Sequence, residues 1–147
     1  MAPPQRAGVP MPTFTATQEL FRAEALTLTS GTSDNITANV LNRVTNQSGA
    51  VIDVSSVSNG LLVVNVTGLS GTGPGLAVFF DVQDAVGNWC LVSNATAISG
   101  AVLNSTGTVY GNISSGYALT YSGRIRWTVT GTGSPQFTGV SFSLFGR

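Results

Sequence analysis

Arg124-Ile-Arg-Trp-Thr-Val-Thr130 alternates without a break: Ile125, Trp127 and Val129 are apolar, while Arg124, Arg126, Thr128 and Thr130 are polar. A period of two marks an extended strand with one face on a core and the other toward water, because successive side chains leave the backbone on opposite sides. Val140-Ser-Phe-Ser-Leu144 repeats the pattern, with Val140, Phe142 and Leu144 on the apolar side. Between the two runs lies Gly131-Thr-Gly-Ser-Pro-Gln-Phe137, short enough for a hairpin with a slightly long loop. The expectation is that strands 123–130 and 138–145 pair with each other and place both apolar sets in one core.

Working outward, further strands are expected at 36–44, 50–55, 60–67, 76–83, 88–92, 101–110 and 117–121, divided by Gly, Ser, Asn and Pro clusters. This rhythm predicts an all-β protein, an antiparallel β-sandwich or jelly roll. Thr17-Gln-Glu-Leu-Phe-Arg-Ala-Glu-Ala-Leu26 reads two ways. It makes a short helix, with Thr17 capping and Glu19 near the positive end of the dipole, or it leads into a strand at 25–29. Leu61–Thr67 and Leu76–Val82 are apolar on both faces for part of their length, as in strands covered twice. Their row Leu61, Val63, Ala77 and Phe79 is a candidate apolar sheet face. It is either a subunit interface or a surface covered by segment 17–26 or a loop.

Four of the six prolines are Pro3, Pro4, Pro10 and Pro12. Proline removes an amide donor and disfavours both helix and central strand, so residues 1–18 read as an extended Pro-rich N-terminal arm and 19–147 as a single β-sandwich domain. The arm is either a free tail or a strap on a neighbouring subunit, with Phe14 as apolar anchor. Proline favours the strap by lowering the entropy lost on ordering.

Charge is scarce: 8% of residues are charged and 42% are apolar, a composition that folds. Six Arg and six acids, with no Lys and no His, sum to zero. No basic stripe is present to neutralise phosphates, so no nucleic-acid partner is expected. A lightly charged surface also repels its own copies little, which favours ordered assembly. Without His or Lys the usual general bases and nucleophile activators are missing, and a non-enzymatic role is expected.

Cys90 is the single cysteine, so no intramolecular disulfide or multi-cysteine metal site forms. It lies in Trp89-Cys90-Leu91-Val92 and reads as a buried small hydrophobe. Asp81 and Asp84 are the carboxylates closest to a hydrolytic or calcium-binding pair. However, Asp84-Ala-Val-Gly-Asn88 reads as a hairpin turn whose Asp bonds the local backbone, and a calcium ion needs more oxygen ligands. No catalytic residue, metal ligand or cofactor is assigned. Gly71-Thr-Gly-Pro-Gly75 lacks the lysine and following helix of a phosphate loop, and reads as a turn between strands. The opening residues lack a secretory apolar stretch, and no run approaches a membrane span. The chain is therefore expected to be soluble, made in a cytoplasm and without a membrane partner. The sequons at Asn35, Asn46, Asn65, Asn94, Asn104 and Asn112 then never meet a glycosyltransferase.

From Gly60 to the C-terminus the chain carries an ordered series of motifs. These are Gly60-Leu-Leu-Val-Val-Asn-Val-Thr67, Leu69-Ser-Gly-Thr-Gly-Pro74 leading to Leu76-Ala-Val-Phe-Phe-Asp-Val82, Gly87-Asn-Trp89, Leu103-Asn-Ser-Thr-Gly-Thr-Val-Tyr110, Arg124–Gly133, Phe137 and Val140–Leu144. The series resembles the small structural proteins of tailed bacteriophages. The resemblance implies a β-sandwich virion component and brings no catalytic residues; the arm is not part of it. The leading expectation is a capsid decoration (cement) protein, made in the host cytoplasm and located on the capsid surface of the virion. Its partners are the major capsid protein and itself, as a homotrimer. The alternative is a tail, baseplate or head-fibre component that binds a host surface, with Trp89, Tyr110, Tyr117 and Tyr121 as aromatic platforms for carbohydrate. Aromatics on strands more often pack in sheet and core. A secreted binding module is disfavoured by the absent leader.

Overall fold

The computed structural model describes residues 17–33, 36, 40–42, 51–55, 57–92, 103–113 and 122–147, with backbone alone at 40–42. Among them no helix occurs. Nine strands do: β1 (Gln18–Thr29), β2 (Gly31–Ser33), β3 (Val40–Asn42), β4 (Val51–Asp53), β5 (Gly60–Val66), β6 (Gly68–Gln83), β7 (Trp89–Leu91), β8 (Gly107–Asn112) and β9 (Ser122–Gly146). All pair antiparallel in one curled sheet. The arm residues Pro3, Pro4, Pro10, Pro12 and Phe14, and the strand expected at 117–121, lie outside the described residues.

The expected hairpin between 123–130 and 138–145 is corrected. Both runs belong to β9, a single strand of 25 residues, and they do not pair with each other. Along one edge of β9 run β5 and then β6, from Gly60↔Gly146 through Leu69↔Phe137 and on from Gly75↔Thr130 to Val82↔Gly123. Along the other edge lie β1, β2 and β4. β8 extends β5, β7 extends β6 and β3 extends β1.

Residues 131–135 bend the chain instead of reversing it. A straight strand from 127 to 142 would hold its ends about 50 Å apart at ~3.3 Å per residue. Yet the rings of Trp127 and Phe142 stack with centroids 5.9 Å apart. The two halves of β9 are therefore folded face to face. The partner strand bends at the same level, so Gly71–Gly75, expected as a turn between strands, lies inside β6. The backbones approach closely there: a β-carbon on Gly71 would lie 2.7 Å from Pro135 Cα.

The alternation read from the sequence does define the core. Ile125, Trp127, Val129, Val140, Phe142 and Leu144 are buried in one cluster with Leu62, Val64 and Val66 of β5, Val78, Phe80 and Val82 of β6, and Ile52 of β4. Each such side chain contributes roughly 1.5–3 kcal/mol on burial, so packing outweighs any surface ion pair in holding the sheet curled. The C-terminus is fastened by backbone bonds: Ser58 and Asn59 N–H donate to the Arg147 carbonyl at 2.9 Å, and Arg147 N–H donates to Asn59.

Within segment 17–26 the chain is strand from Gln18 onward, not helix, because pairing with β9 satisfies its backbone while Leu20, Phe21, Ala23 and Leu26 enter the core. Register shifts accommodate these successive apolar residues, and one of them, between Ala23 and Leu26, holds Ala25 at φ 54°. That left-handed backbone costs a residue with a β-carbon about 1–2 kcal/mol. Glycine's greater freedom in the unfolded chain returns about 0.4–1 kcal/mol of this. Ala25→Gly is thus expected to raise stability by roughly 0.5–1 kcal/mol in urea unfolding, and Ala25→Val to lower it.

Candidate functional site

The alternation that sends Val78, Phe80 and Val82 inward sends Ala77, Phe79 and Asp81 outward. On β9 it does the same for Arg124, Arg126 and Thr128. Register then builds the outer face row by row. Asp81 lies opposite Arg124, Phe79 opposite Arg126 and Ala77 opposite Thr128. β4 adds Val51 beside Arg124, and β7 adds Leu91 beside Asp81. One row therefore reads Val51, Arg124, Asp81, Leu91 across four strands. The Thr32 and Thr128 hydroxyls share a hydrogen bond of 3.0 Å.

Asp81 is the organising group, only 2% exposed. Arg124 Nε donates to its Oδ2 at 2.9 Å; Arg126 Nε donates to the same oxygen at 2.9 Å, and Nη2 to Oδ1 at 3.2 Å. The guanidinium carbon of Arg124 stands 4.3 Å over the Trp89 ring, and that of Arg126 stands 4.4 Å over Phe79. A planar cation over an aromatic face is drawn to the negative ring quadrupole. Each arginine is thus held by a carboxylate and a ring together. Burial pushes the Asp81 carboxyl up, but the hydrogen bonds and charges of Arg126 and Arg124 outweigh it and hold it below the usual carboxylate value.

Asp84 belongs to a separate arrangement, the turn expected from sequence. Its Oδ1 accepts from Val86 and Asn88 N–H at 2.9 and 2.8 Å, and its Oδ2 accepts from Asn88 Nδ2 at 2.9 Å. These bonds from Asn88 hold its carboxyl below the ordinary value. Asp81 and Asp84 thus serve different local networks and share no site. Among the described residues no group of three or more His, Cys, Asp or Glu is gathered to hold a metal. None forms a helix long and apolar enough to cross a membrane.

The apolar row named from sequence is divided. Ala77 and Phe79 lie on β6 in the face just described, with the Arg126 guanidinium over the Phe79 ring. Leu61 and Val63 lie on β5, beyond the bend, opposite Phe145 and Ser143. Leu61 lines an open groove of about 450 Å³ with Thr17, Asn112 and Phe145.

The expected burial of Cys90 is corrected: it is exposed. β7 is a short strand paired only to β6 among the described residues, so an apolar run is not a buried one, and burial begins only at Val92. Trp89 is half-buried on the outer face, and Tyr110 on β8 is 65% exposed. Trp89 packs on the sheet under Arg124, whereas Tyr110 departs from the packing expected for strand aromatics. Tyr117 and Tyr121 lie outside the described residues. Asn65 accepts a hydrogen bond from Thr108 at 2.8 Å across β5 and β8, so its amide serves the sheet.

Arg124 and Arg126 were legible only as a polar face. What joins them to Asp81 is register between strands more than 40 residues apart in sequence, and no local pattern encodes that. The sequence matches no known protein-family model and no curated protein.

Proposed function

We propose that this chain is a non-enzymatic structural component of a tailed-phage particle. In this reading it is a capsid decoration protein that binds the outside of the head and steadies contacts between major capsid subunits. The observation that carries the reading is the outer sheet face. In a chain with few charges, two arginines are fixed against rings by one buried carboxylate, with exposed Val51 and Leu91 at the margins. A rigid, mixed apolar and charged surface suits permanent docking better than turnover. The phage-like motif series from Gly60 onward points the same way. On this reading the curled sheet is a sandwich of jelly-roll type, the copies associate as a homotrimer, and the arm adds contact to a neighbour.

A second reading is favoured by one observation. Tyr110 and Trp89 are accessible on outer strands, as a tail, baseplate or head-fibre component would need for stacking on host carbohydrate. Antibody labelling of intact particles from the source virus separates the two. Label over the whole head is expected for decoration. Label at the tail tip overturns it in favour of adhesion, and unlabelled particles overturn both.

A further inference from the structure

We infer that the groove at the end of β5 and β9 seats the root of this chain's own N-terminal arm, with Phe14 as the side chain that fills it. The groove, about 450 Å³ in volume, is built by register. Gly60 and Gly146 stand opposite each other in its floor. A β-carbon on Gly60 would run into the Ile113 side chain, and one on Gly146 into Leu20 and Val57. All three are core residues, so the outer side of the floor is bare backbone. One wall is the cross-strand row of Phe145, Leu61 and Asn112. The other is Thr17, Arg147 and Asn59, where Arg147 and Asn59 exchange both backbone bonds at 2.9 Å.

Position and reach select the occupant. Thr17 is the first described residue and lines the groove, so the arm leaves from its edge. Across β9, β1 and β5 are two strand spacings apart, about 10 Å. Residues 14–16 span up to about 10 Å when extended. Phe14, the one aromatic among residues 1–16, therefore comes within reach of Leu61 and Phe145, which are half-buried and lie opposite each other. Seating its ring there removes apolar surface of all three side chains from water. A short tether holds the ring at a millimolar effective concentration, which a second copy's arm matches only in concentrated solution. Pro12 further lowers the entropy lost on docking. Residues 1–13, up to about 45 Å when extended, remain to reach a neighbour. The seat is a property of the isolated chain and goes beyond the particle role.

Limited proteolysis of the full chain tests the seat, because cutting at a docked site follows the population that opens. Leu61→Asn removes one apolar side of the seat. It is expected to speed chymotrypsin cleavage after Phe14 about tenfold or more, while trypsin cleavage after Arg6, further out on the arm, stays within about twofold. Equal cleavage after Phe14 in wild type and variant would overturn the seat. Equal gains at Phe14 and Arg6 would overturn Phe14 as its anchor. Protection of Phe14 that grows with protein concentration would overturn the chain's own arm in favour of a second copy's, since an intramolecular contact does not depend on concentration. If Leu61→Asn unfolds, seen as cutting after the fully buried Phe80, the wild type decides alone. Nuclear Overhauser contacts from the Phe14 ring to the Leu61 methyl groups then support the seat, and their absence overturns it.

Discussion

Asp81→Ala is expected to lose about 3 kcal/mol of folding stability, read as a lowered urea midpoint. Removing one member of a buried ion pair costs roughly 3–5 kcal/mol because the remaining charge is left without compensation. Here Asp81 is 3% exposed at its side chain, while Arg124 and Arg126 are 19% and 25% exposed, so water relieves part of the penalty and the lower figure applies. Arg126→Ala should cost less, since Arg124 still holds the carboxylate. Replacing all three together, Asp81→Leu with Arg124→Met and Arg126→Met, is expected to recover most of the loss. Well-packed apolar groups of similar size often match a buried ionic triad. Recovery would mean that the network is retained for what it presents outward.

The same residue sets a pH dependence. Its carboxyl is held below the ordinary value of 3.8, so near that value the unfolded chain binds the proton more readily than the native protein. The stabilisation is complete above the unfolded value. It declines as pH falls through it and is gone below the lowered native value. Unfolding followed from pH 6 downward should therefore show the gap between wild type and Asp81→Asn narrowing below about pH 4. Asp53 and Asp84 are also lowered, by bonds from Ser55 and Asn88. Both are present in the wild type and the variant, so the difference isolates Asp81. A gap that stays constant down to pH 2 would mean that the clamp does not bias this titration.

Local periodicity made the core legible. Ile125, Trp127, Val129, Val140, Phe142 and Leu144 face inward as their spacing requires, since alternation is a property of the strand itself. The Asp84 turn was readable for the same reason: its donors lie within four residues. Pairing was not legible. Gly131–Phe137 carries the residues of a hairpin loop, and only the partner strand shows that they make a bend. β6 continues opposite, so reversal would leave its backbone groups unpaired. The clamp was hidden likewise, because Asp81 and the two arginines are ordinary strand residues until register aligns them. Cys90 misled for another reason: hydropathy measures what a side chain prefers, and a short strand does not always provide it.

If the bend holds the curled sheet together, Gly71→Ala should be far more damaging than Gly73→Ala two residues on. Gly71 stands at φ 98° and Gly73 at φ 58°, both on the side that a β-carbon disfavours, at about 1–2 kcal/mol each. Space separates them. A β-carbon on Gly73 meets nothing within 4 Å. On Gly71 it would lie 2.7 Å from Pro135 Cα and 3.1 Å from the Thr132 carbonyl, backbone atoms of β9 that no rotamer change can move. Relieving that contact pushes β6 away from β9 at the level where both strands turn. Overpacking of this kind costs roughly a further 1–3 kcal/mol. Gly71→Ala is thus expected to lose about 3 kcal/mol or more, and Gly73→Ala about 1 kcal/mol, compared by urea midpoints. Trp127 fluorescence adds a structural readout, because its stacking on Phe142 exists only while the two halves of β9 face each other. A red-shifted Trp127 in folded Gly71→Ala, measured in a Trp89→Phe background, would show the halves parting. Equal stability of the two alanine variants would instead mean that the bend is set by core packing on either side of it and that the glycines merely permit it.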